Sequence, residues 1–321
     1  MTGRVLITGG GGFIGKALSH TMIKKGLTVA VSSRRKTTTT DHRLEHFQTG
    51  DLGSTTDWLL PLQGIDVVVH CAGRAHMMND TALDPLAAFR AVNVEGTLNL
   101  ARQAAAARVQ RFVYVSSIGV NGVQSVPGKV FSEADQPNPH NAYALSKWEA
   151  EQGLLRVADE TGLEVVVIRP PLVYGCDAPG NFGALIRAVQ RGWPLPLGAI
   201  HNKRSLVALD NLVDLIITSL DHPAAANQTF LVSDGEDLST TELLQRMGLA
   251  LGRPARLIPV PTLLLKAGAA LLGRRDMAQR LCGSLQVDIT KTRTLLGWTP
   301  PISVDEGLRR AAQGFLHETT L

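Results

Sequence analysis

Through the first half of the chain, short runs of nearly uninterrupted apolar, β-branched residues alternate with longer segments of helical periodicity. The runs cover Arg4–Thr8, Thr28–Ser32, Asp66–His70, Arg111–Ser116 and Val165–Arg169. The helical segments cover Ile14–Lys25, Pro85–Ala107 and Asn141–Thr161. A strand with one wet face alternates apolar and polar residues, whereas a strand covered on both faces stays apolar. The pattern therefore predicts parallel strands between helices, an α/β fold with a Rossmann-type doubly wound sheet. After Arg169 the pattern changes. Pro170 and Pro171 interrupt it, Gly and Pro recur as far as Gly198, and short helices follow with one strand signal at Thr229–Val232. This divides the chain into a sheet domain over residues 1–174 and a smaller mixed α/β lobe over 175–321. The late strand is placed to interleave with the sheet. Thr37–Thr40 reads as a solvated loop.

Leu263–Leu272 is the most apolar later stretch. It is about ten residues long, where a membrane span needs roughly 20. It predicts a buried helix; the alternative is a helix lying on a membrane surface, with Arg274 and Arg275 beside it.

Composition narrows the class. Hydrophobic residues make up 44 % of the 321, enough for a real core. The net charge is +4 and its arginine pairs (Arg34–Arg35, Arg274–Arg275, Arg309–Arg310) are spread along the chain. Without a block of like charges, nucleic acid is not the expected partner, whereas small anionic ligands are. Cys71, Cys176 and Cys282 are odd in number and far apart. That predicts neither disulfides nor a metal site, and suits a reducing cytoplasm. The N-terminus carries no signal-peptide pattern.

Thr8-Gly9-Gly10-Gly11-Gly12-Phe13-Ile14-Gly15 follows the first predicted strand and opens the first helix. Gly9, Gly12 and Gly15 have the spacing GxxGxxG. A tight turn without Cβ atoms lets the backbone approach a pyrophosphate, which the positive helix N-terminus then faces. The turn alone suits NAD, NADP or a flavin. A carboxylate at the end of the second strand would select NAD by holding the ribose hydroxyls. This chain has Ser32-Ser33-Arg34-Arg35 instead. Guanidinium groups accept a 2′-phosphate, so NADP(H) is favoured, with NAD(H) as the alternative.

Tyr143 and Lys147 stand four residues apart, on one face of a predicted helix. Ser117 follows the strand ending at Ser116, at the sheet edge where ligands bind in such folds. A phenol near pKa 10 is a poor acid–base group at neutral pH, and a neighbouring ammonium lowers it. Ser117, Tyr143 and Lys147 thus form a candidate catalytic set for hydride transfer at a carbonyl or alcohol.

Together, TGxxGxxG, a strand ending in Ser-Ser and YxxxK resemble the short-chain dehydrogenases/reductases. His70-Cys71-Ala72-Gly73, Asn93-Val94-Glu95-Gly96-Thr97, Arg169-Pro170-Pro171-Leu172-Val173-Tyr174-Gly175 and Leu296-Gly297-Trp298-Thr299-Pro300 extend the likeness to the nucleotide-sugar epimerase/dehydratase branch, over nearly the whole chain. The resemblance implies roles. Gly9, Gly12, Phe13 and Ile14 would hold the cofactor pyrophosphate, and Asp51 and Leu52 the adenine. Ala72, Gly73 and Ser116 would lie along the cofactor, with Pro170 and Val173 by the nicotinamide and Lys147 on its ribose. Arg204 would grip the substrate diphosphate, although Ser205-Leu206 replaces the family's Asp-Tyr. Asn181 would contact the nucleotide. Ser117 and Tyr143 would meet the sugar.

The 4,6-dehydratases of this branch carry Asp-Glu where this chain has Ile118-Gly119, so dehydration is not expected. The resemblance points to a UDP-sugar 4-reductase. Its expected substrate is a UDP-4-keto-6-deoxy-N-acetylhexosamine of the UDP-N-acetylquinovosamine type, made for cell-surface polysaccharide such as O-antigen. A 4-epimerase is the alternative. A reductase of a non-nucleotide ketone and a non-catalytic NADP(H)-binding protein remain open. The likeness also implies a homodimer through helices such as Pro85–Ala107 and Asn141–Thr161.

Overall fold

A computed structural model describes residues 3–35, 42–75, 84–126 and 128–318. The expected loop at Thr37–Thr40 lies outside the described residues. A seven-stranded, all-parallel sheet forms the centre. Its strands are β1 (Val5–Thr8), β2 (Val29–Ser33), β3 (Leu44–Gln48), β4 (Val67–His70), β5 (Arg111–Val115), β6 (Glu164–Arg169) and β9 (Gln228–Leu231). They run in the order β3-β2-β1-β4-β5-β6-β9. The order reverses direction between β1 and β4, which opens a crevice at their carboxyl ends. A second sheet joins β7 (Leu172–Tyr174), β8 (Arg204–Ala208) and β10 (Asp237–Leu238), with β8 between the other two.

The strands are apolar on both faces because helices cover both. Val5 and Ile7 pack with α1 (Phe13–Lys24) and α6 (Leu209–Ser219). Leu6 and Val68 pack with α3 (Thr97–Ala106) and α4 (Ala142–Thr161) on the other side. The segment predicted as one helix from Pro85 is α2 (Pro85–Arg90), a π-helical stretch over Ala91–Gly96, and then α3. Asp84 caps it, its carboxylate accepting from the Ala87 N–H at 3.0 Å, and Pro85 supplies a preset φ. Asn141 caps α4 in the same way at 2.8 Å, and Gly162 ends that helix in the left-handed region at φ 76°.

The second sheet packs with α5 (Gly180–Gln190), α7 (Thr240–Ala250) and α11 (Val304–Glu318) around Tyr174, Phe182, Leu244 and Phe315. The strand expected near Thr229–Val232 is β9, and it completes the large sheet beside β6. Helix α10 (Thr290–Leu296) precedes α11. Strand β3 carried no apolar run, being half-exposed at the sheet's edge.

The expectation for Leu263–Leu272 is overturned. It does form a helix, α8 (Thr262–Leu271), followed by α9 (Arg275–Cys282), but α8 contains no buried residue. Its apolar composition sets no partner; burial needs a neighbouring element, and among the described residues only one flank of α8 has one. Among the described residues no helix is long and apolar enough to cross a membrane.

Candidate active site

The crevice is built first by the glycine turn. Gly9 sits at φ +70°, and a Cβ there would stand 2.9 Å from the backbone of Ala72. A Cβ on Gly15 would stand 2.3 Å from the Gly9 carbonyl oxygen. The turn is closed by the Gly12 N–H donating to the Gly9 carbonyl at 2.8 Å. Gly12 is the N-cap of α1, with no side chain capping it and no acid in the first turn. The N–H groups around Phe13 and Ile14 therefore remain available to an anion, favoured by the helix dipole. These features fit a dinucleotide pyrophosphate.

The switch between β1 and β4 is locked by His70. Its Nδ1 lies 2.6 Å from the Thr8 hydroxyl and its Nε2 lies 3.0 Å from the Thr97 hydroxyl. Burial, aided by the Lys147 charge, depresses this imidazole from 6.5 to about 3. It is therefore a neutral, structural group at physiological pH.

The candidate reactive side chains follow β5 or stand on α4. Ser117 follows β5 in extended conformation and accepts from the Gly119 N–H at 3.1 Å. Tyr143 is half-buried, with its ring edge to Phe89 at 6.0 Å. Lys147 is buried; its Nζ donates to the Val115 carbonyl at 2.9 Å and lies 4.5 Å above the Tyr114 ring. Ser117, Tyr143, Lys147, Ser116, Pro170 and Val173 line a cavity of about 230 Å³, faced by Ile14, Gly73 and Cys71.

The electrostatics differ from the expectation in one respect. Burial pushes the Tyr143 phenol up to about 12, against a hydrogen bond with Ser117 that favours phenolate. Burial lowers Lys147 to about 8, opposed by the Glu151 carboxylate. Desolvation thus dominates the phenol, and Lys147 does not pull it down; the ammonium is spent on the Val115 carbonyl and the Tyr114 ring. The Cys71 thiol is also pushed up, to about 12, so it is uncharged.

Other expected residues stand apart from the cavity. Arg34 and Asp51 are exposed and 4.0 Å apart. Arg35 is exposed, its carbonyl accepting from the Ser33 hydroxyl at 2.6 Å. Leu52 lies against Gly96. Asn181 is in the first turn of α5. Arg204 begins β8, and its Nη1 donates to the Gly283 carbonyl at 3.0 Å. Burial and the charge of Arg280 lower this guanidinium. Arg280 comes from α9, some 76 positions along the chain, a proximity that no local spacing announces.

Two supporting groups were also missed. Glu151, one turn beyond Lys147, accepts from the Ser116 hydroxyl at 2.5 Å and pairs with Arg169 at 2.5 Å, all buried. The i, i+4 repeat Tyr143, Lys147, Glu151 was the signal for it. Asn93 accepts from the Arg74 N–H at 2.7 Å and donates to the Ser146 hydroxyl at 3.0 Å, tying the segment after β4 to α4.

The sequence profile of the NAD dependent epimerase/dehydratase family matches residues 5–233. The chain is 46 % identical to a UDP-glucose 4-epimerase of Vibrio cholerae over 313 residues, covering 97 % of this chain and 95 % of that one. Among solved structures, a UDP-glucose 4-epimerase from Thermotoga maritima with UDP-glucose superposes with a TM-score of 0.79 at 21 % identity, covering 98 % and 99 % of the two chains. A UDP-glucuronic acid 4-epimerase from Bacillus cereus with NAD gives 0.78 at 20 % identity and the same coverage. At such identities the structures show a shared fold.

Proposed function

The chain belongs to the NAD-dependent epimerase/dehydratase family, and from that premise we propose that it is a UDP-sugar 4-epimerase. The observation carrying this reading is its end-to-end similarity, at 46 % identity, to the Vibrio cholerae UDP-glucose 4-epimerase. The similarity favours epimerisation over the UDP-N-acetylquinovosamine-type 4-reduction expected from the sequence, which no relative named above supports.

In this reading Gly9, Gly12, Phe13 and Ile14 hold the pyrophosphate of the dinucleotide. Ala72, Gly73 and Ser116 line its path, and Pro170 and Val173 flank its nicotinamide. A bound nicotinamide supplies the acceptor, and afterwards the donor, of the hydride at sugar C4. Ser117 and Tyr143 hydrogen-bond the sugar 4-oxygen, where preorganised donors matter most as charge develops. Tyr143 takes the hydroxyl proton during oxidation and returns it during reduction. Lys147 holds the ribose and keeps a positive charge behind the phenol. Arg204 receives the diphosphate and Asn181 the nucleotide, so residues 175–321 act as the substrate lobe.

The exposed Arg34 and Arg35 support NADP(H), whereas Asp51 beside Arg34 suits NAD(H). Paired titrations with NADPH and NADH distinguish these. A cytoplasmic homodimer joined through α2, α3 and α4 completes the reading, checked by sedimentation.

The deciding experiment follows the purified enzyme with a UDP-hexose or UDP-N-acetylhexosamine. Epimerisation interconverts the two C4 forms without consuming added cofactor. Stoichiometric NADPH oxidation with a 4-keto sugar, and no interconversion, would replace the epimerase with the reductase.

A further inference from the structure

Helix α8 is built inside out. At about 100° per residue, Leu263, Ala267, Leu271 and Leu264 fall within an arc of about 100° on one side. That side faces solvent: Leu263 is 81 % exposed, Leu264 63 % and Leu271 89 %. A surface helix of a globular domain puts its polar residues there. The opposite flank closes an apolar cavity of about 370 Å³ against α9, lined by Leu265, Gly268, Met277 and Leu281, with Leu264 and Leu272 also on its wall. Ile258 and Trp193, also exposed, lie on the two segments that pair through Leu195 and Leu257 and lead into this hairpin.

The segment around the hairpin is strongly net positive. Residues 251–282 contain Arg253, Arg256, Lys266, Arg274, Arg275 and Arg280 against Asp276 alone, an excess larger than the +4 of the whole chain. All six cations are exposed. A two-fold interface would place this patch against its own copy, basic on basic, which opposes self-association. Apolar side chains on the outer face with cations at their borders match the interface of an anionic bilayer, where the leucines meet acyl chains and the cations meet headgroup phosphates. Ten residues are too few to span, so the contact is peripheral.

We propose that α8 and the start of α9 form a docking surface for an anionic phospholipid bilayer. Leu263, Leu264 and Leu271 enter the acyl boundary, while Lys266, Arg274 and Arg275 sit at headgroup level. The membrane thereby holds the C-terminal lobe at its surface.

The test is flotation of the full chain with phosphatidylcholine–phosphatidylglycerol vesicles and with pure phosphatidylcholine vesicles. The native chain floats with the anionic vesicles, less so as salt rises, and stays behind with the neutral ones. Leu263→Glu/Leu271→Glu abolishes flotation while retaining the native melting profile and sugar turnover, since neither side chain touches the core or the crevice. Arg274→Ala/Arg275→Ala weakens partitioning roughly 30-fold at low salt, from about a fivefold contribution per cation. Absence of flotation by the native chain overturns the proposal, and so does undiminished flotation of the double glutamate variant. A sedimentation shift without lipid that vanishes in the glutamate variant overturns it too, because the face would then be covered by a second copy.

Discussion

Helices α4 and α8 use apolar residues in opposite ways. Helix α4 is mixed in composition, yet it buries nine residues, among them Lys147 and Glu151. Helix α8 is almost entirely apolar and buries none. The difference lies in their neighbours. Helix α4 is laid between β5, β6 and α3, so its polar groups must find partners: Lys147 takes the Val115 carbonyl, and Glu151 takes Ser116 and Arg169. Helix α8 lies at the protein surface, with α9 on one flank and solvent on the other. The first fixes a geometry to ångström tolerance; the second leaves a surface for something outside the chain.

Substitutions can break this comparison, the largest effects being on α4. Tyr143→Phe removes the group proposed to transfer the proton, and turnover is expected to fall by roughly 10²–10⁴-fold, with cofactor binding by fluorescence titration retained. Turnover near the native rate removes Tyr143 from the reaction. Glu151→Gln leaves the buried Arg169 without its counter-charge, at a cost of about 3–5 kcal/mol in urea unfolding. A loss below about 1 kcal/mol would mean that water reaches this pair and that α4 is less sealed than its burial implies.

A pH-graded effect comes from His70, packed beneath the same crevice. Its imidazole titrates at 6.5 when exposed and at about 3 in the fold. The folded state therefore holds fewer protons between these values. The stability from keeping His70 neutral is complete above pH 6.5 and is lost as pH falls toward 3, by about 1.4 kcal/mol per pH unit. Urea unfolding at stepped pH should show a shallower acid slope in His70→Gln; an unchanged slope assigns the proton uptake elsewhere. The smallest effect belongs to α8: Leu263→Glu should alter unfolding free energy by no more than about 0.5 kcal/mol, as for an uncovered surface site. A loss of several times that would show that α8 is covered, and the contrast with α4 would disappear.

Much of the site was legible because its requirements are local. A turn that must admit a phosphate needs glycine at Gly9 and Gly15, and Tyr143 and Lys147 meet on one helix face by their spacing. Arg280 beside Arg204 was not legible, since the segment after α9 reaches β8 only through long-range pairing of Leu285 with Lys203 and Ser205. The phenol's direction of shift was not legible either. Proximity of an ammonium argues downward, but burial argues upward, and only the packed structure shows which is larger. The charge looked dispersed when counted as arginine pairs; a count over residues 251–282 already shows its excess there, and what folding adds is the exposure of those cations beside the open face of α8.

The order of strands and helices, the glycine turn and the tyrosine–lysine face were determined by the sequence itself, because each depends on residues a few positions apart. What the tertiary structure alone decided is coverage. The same leucines make a core or a surface according to whether another element lies against them. That element is supplied by the path of the whole chain, which is why α4 is sealed with its charges inside and α8 stands open with its leucines outside.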